Sequence, residues 1–354
     1  MLFYHLADIH LGACPDRGHP WSQQRAQQIY DSFYKVLERA HEEQADFVFI
    51  CGDLFHRQPL KRELKELDYY FAKAAPVKIV IIAGNHDYIR PKSPYLTWKW
   101  SDNVFWFTEP SCQMKIFEKQ KLCVYGLSYH HYEIRAALYD DLMPEKRPEM
   151  THILLAHGGD ARHIPVDWNR LKTSGFDYIA FGHIHKPQII EPGKLAYAGA
   201  LEPVDKNDDG PHGYIRGAVI DHKVSLDFIP WARVSYITLK IKVHPKMTFG
   251  ELKDQAAAQI QADGGRNIYR LMIEGSRDLD LTIDTDAFYN MENVVDVRDC
   301  TEVDYDFAGI HWNNKENIFG KYMDAVEQMN LDESMKKQVL YYGISALYQT
   351  GEKQ

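Results

Sequence analysis

Five apolar runs in the first 186 residues each end in side chains able to hold a metal ion. This repeated layout constrains the fold more than any other feature. The runs and their ends read "LADIH" (Asp8, His10), "ICGDLFH" (Asp53, His56), "IIAGNHDY" (Asn85, His86, Asp87), "LLAHGG" (His157) and "FGHIH" (His183, His185). Short aliphatic, β-branched runs read as buried strands. Gly84 permits a sharp turn where "KIVIIA" stops. Ligands at the C-terminal ends of several strands can converge on one crevice of an α/β sheet. Asp8 and His10 are two apart and face the same side of an extended strand end, and His183 and His185 repeat that geometry.

Between these runs lie helical patterns, around 25–43 and over "LKRELKELDYYFAKAA" (60–75). Further strand-like runs follow in "LAYAGALEP", "YIRGAVIDH" and "VSLDFIPW". Alternation of this kind predicts a layered α/β core. With 354 residues the chain is long enough for two domains, and 45% hydrophobic and 13% aromatic content supports packed cores instead of disorder. The spacing predicts a domain over 1–234, a small α/β module over 235–300 and a helical segment over 301–354. In the module, "SYITLKIKV" alternates as a half-exposed strand does, and Thr248 and Glu251 stand at capping-box spacing before a helix. Near the end, Met335, Val339, Tyr342 and Ala346 recur at helical steps and mark an apolar helix face.

No apolar stretch approaches the roughly 20 residues of a membrane span. The start, "MLFYHLADIH", has neither a basic region nor a small-residue cleavage site, so a signal peptide is not expected. Five cysteines, odd in number and without CxxC spacing, point to free thiols in a reducing cytoplasm. Net charge is -9, unevenly spread: residues 1–250 carry 31 Lys+Arg against 30 Asp+Glu, and residues 251–354 carry 10 against 20. Bulk charge therefore gives no positive sign of nucleic-acid binding.

The donor set is informative. Carboxylates, imidazoles and one amide, without a thiolate, suit manganese, iron or zinc. There are more donors than one tetrahedral ion needs. Two ions sharing one carboxylate can clamp the oxygens of a phosphate and bring the pKa of a water near neutrality. A lone histidine at a strand end is usually structural; five such ends in one chain are not so explained.

In order and spacing, D-x-H, G-D, G-N-H-D, H and G-H-x-H resemble the calcineurin-like metallophosphoesterase superfamily. "LADIHLG", "FICGDLFHRQP" and "IIAGNHDY" resemble its DNA-repair nuclease branch, the SbcD and YhaO type. "YAGALEP" and "FIPWARVSYITLKIKV" are similar to that branch's core ending and its passage into a capping domain. The resemblance implies a four-layer αββα sandwich with the metals at one edge, leading into a small α/β cap, and the residue pattern adds a helical C-terminus. It implies Asp8, His10, Asp53 and His185 on one ion and Asp53, Asn85, His157 and His183 on the other, so that Asp53 bridges. His86 would protonate the leaving oxygen as general acid, His56 would support the phosphate, and Asp87 would orient the turn or a histidine. Manganese is the expected ion, with Fe2+, Zn2+ or Mg2+ as alternatives. DNA is the expected substrate and an SbcC-type coiled-coil ATPase the expected partner, with a homodimer left open.

Two rivals differ in class. The same chemistry on a small nucleotide or phosphoprotein has less use for a cap. A non-catalytic scaffold has no use for a complete ligand and acid set. Of the other histidines, His130 and His131 could reach the site from the strand "LCVYGL", while His19, His163 and His212 are expected at the surface.

Overall fold

The computed structural model describes residues 1–351. In chain order the first unit runs β1 (Leu2–Leu6), α1 (Ser22–Glu42), β2 (Phe47–Cys51), α2 (Lys61–Lys73), β3 (Lys78–Ile82), α3 (Pro94–Thr97), β4 (Val104–Phe107), β5 (Gln113–Phe117), β6 (Leu122–Gly126), β7 (Thr151–His157), α4 (Trp168–Lys172), β8 (Tyr178–Gly182), β9 (Gln188–Glu191), β10 (Leu195–Tyr197), β11 (Gly213–Ile220) and β12 (Lys223–Pro230). These strands form two six-stranded sheets, ordered β12-β11-β1-β2-β3-β4 and β5-β6-β7-β8-β10-β9. β1 to β4 run parallel, as do β6, β7, β8 and β10; the antiparallel partners lie at the edges.

The central strands are buried on both faces, which is why they read as unbroken apolar runs instead of alternating ones. Phe3, Phe47, Phe49, Val80 and Ile82 of the first sheet meet Val124, Ile153, Leu155, Tyr178 and Ala180 of the second in one core. Outside the first sheet, Ile29, Phe33, Val36, Leu37 and Ala40 make the buried stripe of α1 and pack with Leu64, Leu67 and Phe71 of α2. α1 and α2 are further joined by Tyr34 stacked on Tyr70, ring centroids 3.6 Å apart. Outside the second sheet, Tyr129, Tyr139, Ile164 and Leu171 close a third core. The layers are those of the expected αββα sandwich. Because both sheets are parallel at their centres, the C-terminal ends of β1, β2, β3, β7 and β8 all reach one edge.

Two compact units divide the chain: Met1–Ile237 with Arg266–Ile268, and Thr238–Gly265 with Tyr269–Gln354. β13 (Tyr236–Val243) leads into the second, which contains α5 (Phe249–Ala262), β14 (Ile268–Arg277), β15 (Val294–Val303), α6 (Phe307–Asn313), α7 (Ile318–Glu327) and α8 (Glu333–Gly351). Thr248 caps α5 as its spacing predicts: its hydroxyl accepts from Glu251 N at 3.3 Å, and Glu251 Oε2 accepts from Thr248 N at 2.8 Å. Met335 and Tyr342 are exposed, at 46% and 71%, and Ala346 is exposed too. The buried side of α8 is the one that carries Ile344. α8 has apolar residues on both sides, so periodicity alone cannot choose between them. No helix among the described residues is long and apolar enough to cross a membrane.

Candidate metal centre

The turns that follow the strands do more than end them. Asp8, His10, Asp53 and His183 all have positive φ, at 49°, 52°, 51° and 99°. Non-glycine residues adopt that region at a cost and only where their surroundings hold them. Here the holding contacts are visible. Asp8 N donates to Gly52 O at 3.2 Å, His10 N to Asp53 O at 2.9 Å, and His183 N to both Asp8 oxygens at 3.0 and 2.9 Å. Glycines clear the space: a Cβ on Gly84 would lie 2.2 Å from Asp53 Oδ1, and one on Gly52 2.3 Å from His157 Nδ1.

All seven expected metal donors come together. Asp8, His10 and His185 form one close group and Asp8, Asp53 and His157 another. His10 Nε2 lies 3.1 Å from His185 Nε2. Asn85 Oδ1 lies 3.0 Å from His157 Nε2 and 3.1 Å from His183 Nδ1. Asp53 Oδ2 stands between the two sets, 3.8 Å from His10 Nε2 and 3.6 Å from His157 Nε2. His86 N donates to Asp53 Oδ1 at 2.8 Å, and its half-buried ring groups with His10 and His56. The ring lies 5.1 Å from His56 and 4.9 Å from His10, centroid to centroid. Asp87 is buried and accepts from Gly84 N at 2.8 Å and Phe55 N at 3.2 Å, so it orients the turn and not a histidine.

The donor chemistry fits divalent cations. His157 Nδ1 donates to Cys51 O at 2.9 Å, leaving Nε2 with its lone pair. That lone pair, His183 Nδ1 and the Asn85 amide oxygen face one another, three atoms that one cation can share. Burial pushes the Asp8 carboxyl up to about 8 and Asp87 up to about 7, and raises Asp53. Burial also lowers His157 to about 3, His183 to about 4 and His10 well below its usual value. His185 goes the other way: burial opposes its charge, but the bonded Asp208 carboxylate and nearby Asp8 raise it to about 9. Burial holds these carboxyls and most of these imidazoles in their neutral forms, and bound cations would displace the carboxyl protons.

Sequence reasoning missed two residues, Asp160 and Asp208. Asp160 Oδ2 lies 2.7 Å from His183 Nε2 and 2.9 Å from His163 Nδ1. Both Asp208 oxygens lie 3.1 Å from His185 Nδ1. Asp160 ends "HGGD", three residues past His157, and that spacing could have pointed to it; nothing in "DKNDDG" distinguishes Asp208 from its acidic neighbours. Two expected surface histidines are corrected. His163 packs on His183 with ring centroids 4.5 Å apart, and His212 is buried between Ala200 O at 3.2 Å and Asp208 O at 3.1 Å. His19 is half-buried, stacked on Trp21. His130 does not enter the site, since its Nε2 bonds Thr108 O at 2.8 Å, and His131 is exposed. Tyr132, beside them, reaches to 5.9 Å from the His86 ring.

Known proteins place this site in a family. The profile of calcineurin-like phosphoesterases matches residues 1–187. The chain is 24% identical over 300 residues to the uncharacterized metallophosphoesterase YhaO of Bacillus subtilis, covering 78% of this chain and 72% of that one. It is 30% identical over 223 residues to the DNA double-strand break repair protein Mre11 of Methanocaldococcus jannaschii, covering 59% and 58%. It is 23% identical over 368 residues to the Mre11 of Archaeoglobus fulgidus, covering 94% and 77%. The chain belongs to the calcineurin-like phosphoesterase family and is a metal-dependent phosphoesterase.

Proposed function

We propose that the chain is a two-metal phosphodiesterase acting on DNA, an exonuclease or endonuclease of the repair type. The observation that carries this reading is the position of Asp53 Oδ2, within 3.8 Å of a donor from each ligand set, which is where a bridging carboxylate belongs. Asp8, His10, Asp53 and His185 would hold one ion and Asp53, Asn85, His157 and His183 the other. When bound, the ions neutralise the buried carboxylates and make hydroxide available near neutral pH. The chain's own contribution lies in two further histidines. His86 is held by its backbone to Asp53 and offers its ring as the proton donor to the leaving sugar oxygen. His56, exposed and 5.1 Å from His86, is placed to support the phosphate. DNA as substrate draws support from the Mre11 relatives, and a cytoplasmic reaction draws support from five cysteines that are all free thiols. Imidazole-rich ligation favours manganese over magnesium, which prefers oxygen.

The purified protein should cleave linear duplex or single-stranded DNA with manganese at least as well as with magnesium, and exhaustive chelation should abolish turnover. Measuring nucleotide release from each DNA, and hydrolysis of a bis-nitrophenyl phosphodiester, checks this. Full activity after chelation would refute it. Cleavage of the small diester without cleavage of either DNA would favour a small-nucleotide substrate.

The residues over 235–300 are proposed as the cap. The helices beyond 300 are proposed as the surface for a coiled-coil ATPase of the SbcC type. Their exposed apolar side chains support this, with Trp312 at 72% and Tyr342 at 71%, as does the acidic charge of 251–354, which repels phosphate. Deleting residues from 316 onward should abolish association with such an ATPase in gel filtration and leave cleavage of single-stranded DNA within about twofold. Retained association would discard this role.

A further inference from the structure

We infer that Asp160 and Asp208 are positioning residues that make two histidines, two residues apart, present opposite ring nitrogens to the metal centre. This inference rests on the ligand assignment proposed above. A neutral imidazole carries one N–H and one lone pair, and the acceptor bonded to one nitrogen decides which nitrogen is bare. At His183 the carboxylate is on Nε2, 2.7 Å from Asp160 Oδ2, so Nδ1 is bare and faces Asn85 Oδ1. At His185 the carboxylate is on Nδ1, 3.1 Å from Asp208, so Nε2 is the nitrogen turned to His10, and a bound cation would take the place of its proton. The backbone differs at the two positions, with φ 99° at His183, and the carboxylates that hold each ring in its presentation come from two loops on separate stretches of chain, one after β7 and one after β10.

The two supports are unequal in construction. Asp208 is largely buried, with its side chain 12% exposed, and its Oδ2 also accepts from Val204 N at 2.9 Å and Asp205 N at 3.0 Å. Asp160 is 45% exposed and is held within its own short loop, accepting from Arg162 N at 2.7 Å and His163 N at 2.9 Å. Removing Asp208 therefore also frees a buried loop, whereas removing Asp160 also releases His163, whose Nδ1 lies 2.9 Å from the same Asp160 oxygen. Asp160 is the test, with His163→Ala as its control.

Two measurements on the full chain decide it. In the metal-free protein labelled with 15N-histidine, long-range nitrogen–proton correlation should show the proton of His183 on Nε2 and Nδ1 without one. In Asp160→Ala the two tautomers of His183 should mix, and calorimetric titration with Mn2+ should show one of two ions bound about 10–100-fold more weakly, the cost typical of losing such a partner. Asp160→Asn keeps an acceptor oxygen and should restore most of that affinity. A proton on Nδ1 of His183 in the unsubstituted protein would overturn the inference. So would an Asp160→Ala affinity within twofold for both ions. Should Asp160→Ala not fold, the tautomer of the unsubstituted protein and the Asp160→Asn titration decide the matter. His183→Ala separates the two levels: if it still binds both ions unchanged, the ligand assignment is what fails, whatever Asp160 does.

Discussion

Asp53→Ala is expected to cost more affinity for divalent cations than any other single change in the chain. Asn85 and His157 stand with one ligand set, and Asp8 groups with His10 and His185 and also with Asp53 and His157, while Asp53 Oδ2 lies 3.8 Å from His10 Nε2 and 3.6 Å from His157 Nε2. Its other oxygen accepts from His86 N, so alanine there also frees the turn that carries Asn85. The loss should exceed the roughly 10–100-fold that removal of an outer hydrogen-bonding partner produces. Calorimetric titration with Mn2+ across Ala variants at Asp8, Asp53, Asn85 and His157 gives the ranking. Two ions bound to Asp53→Ala as tightly as to the unsubstituted chain would remove the bridge from the scheme.

His86→Asn should behave in the opposite manner, keeping both ions and losing turnover by roughly 10²-fold or more. The structure supplies the reason. His86 is tied to the centre through its backbone N–H, which any residue retains, and its half-buried ring lies beside His56 and His10. The substitution removes a proton donor and no proposed ligand. A nitrophenyl leaving group departs without protonation, so the deficit should shrink on the nitrophenyl diester and stand in full on DNA. Equal deficits on both substrates would mean that His86 positions phosphate. Loss of an ion would make it a ligand.

What could be read from the sequence divides along a physical line. A strand's end is marked by a change from apolar to polar residues over one or two positions. Asp8, Asp53, Asn85, His157 and His183 therefore stood out, and parallel pairing then brings them to one edge. Asp160 and Asp208 lie in loops, where an aspartate is ordinary turn chemistry and nothing local separates a carboxylate that meets a histidine from one that meets solvent. His163 and His212 were misread for the same reason, since loop histidines carry no periodic mark of burial. α8 shows a different limit. Its periodicity is real on both sides, and only packing shows that Ile344 goes inside while Tyr342 stays out.

The left-handed backbone at Asp8, His10, Asp53 and His183 sets durability against activity at the same four positions. Glycine would relax each of them, because it adopts positive φ without strain, and each glycine would delete a donor. A screen of random variants for heat resistance in the absence of metal should therefore enrich changes at these residues and return proteins that outlast the parent and cleave nothing. Selection for cleavage must keep refusing the sequence that the backbone alone would choose.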